Sequence, residues 1–145
     1  MVDVLDLAEY VLSRLGTMTA MKLEKLCYYS QAWGLVWNER PLVPNACEAW
    51  ANGPVFPTLY RAHRGMFTVS PLTIKKTPES LSTEDQRTVD SVLDFYGGMS
   101  AVELSELTHR EAPWRDARGS TPPGESSNEE IPLAAMAEYY ESLVS

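Results

Sequence analysis

From Thr19 to Trp37 the chain carries one helical pattern strong enough to decide its architecture: Leu23, Leu26, Cys27, Ser30, Trp33, Gly34 and Trp37 recur at i, i+3, i+4 and i+7 spacing. A stripe of that width and bulk must be covered by other elements. The first expectation is therefore a central core helix over 19–37, with Thr19 as its N-cap. Trp33, on the stripe, is expected inside the core. Gly34 costs a helix interior roughly 1 kcal/mol relative to Ala, and close approach of another backbone is one reason for keeping it.

The flanking segments supply the elements that cover this helix. Asp3 reads as the N-cap of a first helix ending at Gly16. Leu42-Val43 and Cys47-Glu48-Ala49-Trp50 read as two short strands separated by a Pro44-Asn45 turn. Asn52-Gly53-Pro54 breaks the chain and opens a helix to about Arg64, with Pro54 near its first position. Residues 66–81 read as irregular, with Val69, Leu72 and Ile74 as a candidate extended piece. A helix is predicted over 82–96, and another from the Ser100/Glu103 capping box to about His109. Pro113-Trp114 is read as an end or kink, residues 119–128 as a flexible loop, and 133–144 as a final amphipathic helix. The fold class expected is mainly α (α+β): a single domain over 1–145, with five to six helices around the helix 19–37 and a small two-stranded β element near 42–50.

Composition narrows the function classes. In 145 residues, 44% of them hydrophobic, seven Tyr, four Trp and three Phe require a core, which excludes disorder for most of the chain. No run of about 18 uncharged apolar residues offers a membrane span. Acid near the N-terminus, where a signal peptide carries Lys or Arg, leads to the expectation of a cytoplasmic protein. Cys27 and Cys47 form no CxxC pair and are expected reduced and at least partly buried. Twenty acids against twelve bases give −8 overall, unevenly spread: residues 1–76 are +2 and residues 77–145 are −10. That balance lacks the basic footprint of nucleic-acid binding and suits either a basic protein partner or simply a solvated surface. Glu103, Glu106, Glu111 and Asp116 are the candidate acidic contacts.

Catalytic patterns are sparse. No pair among the two His and two Cys has zinc-ligand spacing, and no cofactor motif is present. Cys27, His109 and Glu111 supply the residue types of a small hydrolase, although Cys27 falls on the apolar stripe and His109 suits a helix C-terminus. Lys22 and Lys25, beside Tyr28 and Tyr29, form the one basic-aromatic cluster on a helix. They are read mainly as lysines snorkelling along a buried helix, and with Tyr29 as the alternative partner-binding face.

Three segments together resemble the Panacea domain family, which comprises SocA-like antitoxins and phage GepA-like proteins. Met18 to Trp33 (MTAMKLEKLCYYSQAW) is similar to its first signature. Pro41-Leu-Val followed by Glu48 to Tyr60 (EAWANGPVFPTLY) is similar to its second, and Leu104 to Trp114 closing on LTHREAPW to its third. Leu23, Leu26, Tyr28, Trp33, Trp50, Gly53, Pro54, Tyr60 and Trp114 are its structural motif positions here. Lys22, Lys25, Gln31, Glu48, Asn52 and His109 are polar positions for which buried hydrogen bonding and partner contact both stand open. Ala20, Glu24 and Cys27 replace the family's usual Pro, Gln and bulky aliphatic, changes expected to alter packing or a surface detail. The resemblance implies a non-enzymatic antitoxin without cofactor that binds a co-encoded toxin directly. A proteolytic adaptor or phage accessory protein, working with a protease or chaperone, is the alternative it also implies; the hydrolase built on Cys27 or His109 is the alternative from another class.

Overall fold

The computed structural model describes residues 2–144. Seven helices run in chain order: α1 Val4–Leu15, α2 Ala20–Asn38, α3 Pro57–His63, α4 Thr83–Tyr96, α5 Ala101–His109, α6 Ala112–Arg118 and α7 Leu133–Ser142. Two small antiparallel sheets complete the mainly α architecture: β1 Met18–Thr19 with β4 Thr68–Val69, and β2 Glu48–Trp50 with β3 Gly53–Val55. Helix α2 is the centre, with α1, α4, α5 and α7 packed around it. Among the described residues no helix is long and apolar enough to cross a membrane.

The helix ends follow their local chemistry. Asp3 and Asp6 close a capping box on α1, and Ser100 and Glu103 close another on α5. Thr19 caps α2 through Lys22 N–H, and Ser82 caps α4 through Asp85 N–H. Gly16, at φ +83°, ends α1 in a conformation that side chains resist.

Burial of α2 differs from a one-sided stripe. Every residue from Leu23 to Gly34 is buried, so Glu24, Lys25, Ser30 and Gln31 lie inside with the apolar side chains. Trp33 is 8% exposed and its indole N–H donates to the Tyr96 hydroxyl at 3.0 Å. Both cysteines are free and buried.

Three local expectations are corrected. Leu42-Val43 forms no strand, because the Gln31 side chain takes the place of a partner. Its Oε1 accepts from the N–H groups of Leu42 and Val43, and its Nε2 donates to Val43 O, at 2.8–3.0 Å. The hairpin is instead β2 with β3, registered Glu48 to Val55 and Trp50 to Gly53, with Gly53 at φ +120°. Pro54 therefore lies in a strand, and Pro57 occupies the first turn of α3. Finally, Pro113 does not stop the chain but sits in the first turn of α6, where a missing N–H is harmless.

Acid side chains organise residues 66–81. Glu9, nearly fully buried on α1, accepts from the N–H groups of Leu72, Ile74 and Lys75. Asp6 accepts from Glu79 N–H and pairs with Lys75 Nζ at 2.8 Å. Burial alone raises the Asp6 carboxyl, but Lys75 and the N–H groups of Asp3 and Glu79 hold it below its ordinary value.

Gly34 is not sterically obligatory. A Cβ built there meets Leu42 Cβ at 3.5 Å, ordinary van der Waals contact. Gly34→Ala is expected to raise unfolding stability by about 1 kcal/mol in urea titration. A loss of stability would mean that Leu42 cannot accommodate the methyl group.

Candidate functional site

The segments carrying the three motifs meet inside the molecule at Lys25. Its side chain leaves α2 and lies against Gly53 so closely that a Cβ on Gly53 would clash with Lys25 Cε and approach Thr108 Oγ1 to 3.0 Å. Gly53 is therefore needed both for its positive φ and for this approach. Beyond it, the His109 ring stacks on Trp114 at 4.0 Å and 17°, and the Arg118 guanidinium lies over Trp114 at 4.8 Å. Trp114 Nε1 donates to Trp50 O at 2.8 Å, which ties α6 to β2. Arg118, itself buried, donates to Ala49 O, Pro122 O and Glu125 O, so the start of the 119–128 loop is held by backbone carbonyls. The loop's far end joins the hairpin through Ala49 N–H to Glu129 O and Ile131 N–H to Cys47 O.

Two atoms in this cluster meet no hydrogen-bond partner among the described residues: Lys25 Nζ and His109 Nε2. Burial drives the Lys25 amine down to about 8, against the pull of Glu24 and Cys47. Burial, with Lys25 and Arg118 nearby, also lowers His109. Lys25 is thus not a snorkelling lysine; it is fully enclosed. Lys22 does reach along the helix edge, where its Nζ donates to Gly97 O at 2.7 Å.

Glu24, read from sequence as a packing or surface detail, is fully buried. Its Oε1 accepts from Phe56 N–H at 2.9 Å and its Oε2 pairs with His63 Nε2 at 2.8 Å. Burial raises this carboxyl, while His63 and Phe56 N–H oppose the rise. The pair floors a cleft of about 660 Å³ walled by Trp50, Val55 and Tyr60. Nothing in the spacing of residues 39 positions apart signals it.

A second concavity lies at the other end of α2. Trp33 stacks on Trp37 at 5.2 Å, and these rings with Val92, Phe95, Leu107 and Val144 line a groove of about 610 Å³. Trp37 is 47% exposed, Phe95 74% and Val144 62%. Glu111 also lines the groove, and its Oε1 accepts from Tyr29 and Tyr140 hydroxyls, each at 2.7 Å. Its Oε2 makes no hydrogen bond among the described residues. Burial raises the Glu111 carboxyl against these two hydroxyl donors. Tyr29 stacks face to face on Tyr96 at 4.0 Å, and Tyr28 reaches the Tyr140 hydroxyl at 3.0 Å.

The candidate partner contacts thus separate. Lys25 and Tyr29 are fully buried and touch only the chain's own residues. Glu111 is nearly buried but borders the groove. Glu103 is exposed with its Oε1 accepting from the Ser100 N–H, and Glu106 and Asp116 are exposed on α5 and α6. Of the motif positions, Leu23, Leu26 and Tyr28 are core, while Trp50 and Tyr60 wall the cleft. Cys27 is sealed, and burial pushes its thiol well above the ordinary range, with Glu24 and Cys47 adding to the rise. A thiol held protonated and out of reach is a poor nucleophile.

The unpartnered lysine makes a pH-dependent prediction. Between about 8 and the ordinary lysine value of 10.5 the unfolded chain binds a proton that the native chain does not, so this group makes stability rise with pH there. Lys25→Met is expected to gain about 3 kcal/mol at pH 7, from the depression of the amine at 1.36 kcal/mol per unit. In urea titrations that gain should fade as the pH approaches 10.5. Unchanged or lower stability of the variant at pH 7 would show that the amine has a favourable partner.

No curated protein and no solved structure matches this chain. Comparison with known families matches residues 23–115, well over half of it and spanning the lysine, hairpin and tryptophan cluster just described, to the family Antitoxin SocA-like, Panacea domain. The chain belongs to this antitoxin-like Panacea domain family.

Proposed function

We propose that this protein is an antitoxin that neutralises a co-encoded toxin by direct binding, and that the groove at Trp37 and Phe95 is where the toxin docks. Family membership supports the antitoxin role. The observation that carries the site is the groove itself: exposed aromatic and aliphatic side chains flank one carboxylate with an oxygen to spare. Large rings at the centre of a concave patch are the side chains that dominate binding energy in protein interfaces.

Charge selects the occupant. Glu106, Glu138 and Glu141 are exposed on α5 and α7, two of the helices that frame the groove. The partner is a basic protein presenting an apolar anchor flanked by Arg or Lys, with one cation placed to meet Glu111. A toxin that acts on RNA or nucleotides has such a basic face because it must hold phosphates. Exposed Glu106 and Asp116 add to the field that draws it in.

Growth rescue tests the reading. The gene beside this one is expressed alone and then with this protein or its variants. Co-expression should restore growth, and Trp37→Glu or Phe95→Glu should abolish rescue while circular dichroism stays unchanged. In a binding assay each variant should weaken the complex by roughly thirtyfold or more, the scale of an interface hot spot. Rising salt should slow association steeply and leave dissociation nearly constant. Full rescue by both groove variants, or association indifferent to salt, would contradict the assignment.

A further inference from the structure

The cleft over Glu24 and His63 is separate from the groove and plays no part in the proposed toxin contact. We propose that it is a ligand site for a neutral planar heteroaromatic ring of the nucleobase class, taken as a free base or nucleoside without its phosphates. The volume, about 660 Å³, falls in the range of small-molecule sites.

Elimination by charge comes first. Among the described residues that line the cleft there is no lysine or arginine, so a phosphate or other anion finds no cation to hold it. Its one lining carboxylate is Glu24, whose two oxygens are engaged by Phe56 N–H and His63 Nε2, so a cationic ligand finds no free anion. A neutral ligand remains.

Shape and hydrogen bonding then select a ring. Trp50 and Tyr60 meet at 4.9 Å and 61°, and Tyr60 meets His63 at 5.3 Å and 78°. Trp50 is held by its indole N–H donating to Glu48 Oε1 at 2.8 Å and by its carbonyl accepting from Trp114. Such an angled aromatic wall offers a fixed face for stacking. At the rim, the side chains of Asn52 and Asn128 make no hydrogen bond among the described residues, and neither does His63 Nδ1. Two free carboxamides each carry a donor and an acceptor, the pattern that complements the edge of a nucleobase.

NMR on the full-length chain, titrated separately with adenosine and guanosine, tests the site. At least one nucleoside should give saturable shifts of the Trp50 indole N–H and of the Asn52 and Asn128 side-chain amides, with the Trp37 indole unmoved. Tyr60→Ala should weaken binding roughly tenfold or more, the scale of one lost stacking contact. Because Tyr60→Ala could disturb the hairpin, Asn128→Ala, on an exposed loop position, provides an independent arm and should weaken binding severalfold. AMP should bind no tighter than adenosine, and ribose should shift nothing. Absence of saturable shifts with both nucleosides would overturn the proposal. So would ribose acting as well as the nucleosides, AMP binding more than tenfold tighter, or Asn128→Ala and Tyr60→Ala both leaving affinity unchanged.

Discussion

A helix buried on every face imposes a rule on its own sequence: each polar side chain on it must be satisfied by the protein, because water is not available. Helix α2 lives under that rule from Leu23 to Gly34, and much of the fold is the means of meeting it. Gln31 is satisfied by the backbone of residues 42–43, which fixes the path of the chain after α2. Glu24 is satisfied by His63 and the Phe56 amide, which seats the start of α3. Ser30 returns its hydroxyl to Leu26 O. Each of these bonds contributes modestly by itself, whereas leaving its buried group unpaired costs more.

Lys25 breaks the rule. Its amine has no hydrogen-bond partner among the described residues, and the surrounding motif residues are shaped to admit it: Gly53 lacks the Cβ that would strike it, and the Trp114–His109 stack closes the same region. Strained or uncompensated groups of this kind concentrate where a protein does something besides fold. In this chain the cluster joins α2, the hairpin, α5 and α6, and from it the cleft and the groove diverge. Glu24 borders one and Trp33 the other, about 14 Å apart along the helix at 1.5 Å per residue. One rigid helix thus supports two concave surfaces of different chemistry.

Legibility from sequence followed the range of the interaction. The caps at Asp3, Thr19 and Ser100 are decided within four residues and were readable; so were the buried aromatic stripe and, by resemblance, the family. Pairing of residues 47–50 was misread because Gln31, a side chain on another element, replaces the expected strand. Helix α6 was missed because Pro113 is a breaker inside a helix but harmless in its first turn. The Glu24–His63 pair carried no sequence signal, since its members lie 39 positions apart and only the fold brings the carboxylate to the ring. Burial of Lys25 and Tyr29 was likewise hidden. Periodicity marks the apolar face of a helix but is silent on whether the other faces are also covered.

The central claim is that the rigid core helix presents a docking groove between α4 and the end of α7. Hydrogen–deuterium exchange of this chain, free and bound to the toxin proposed as its partner, tests it most directly. Residues 23–34 should exchange slowly in both states, as buried amides that open only with the whole fold. New protection on binding should fall on residues 91–96 and on the end of α7. Protection confined to 103–116 or to 50–60, with residues 91–96 unchanged, would contradict the account.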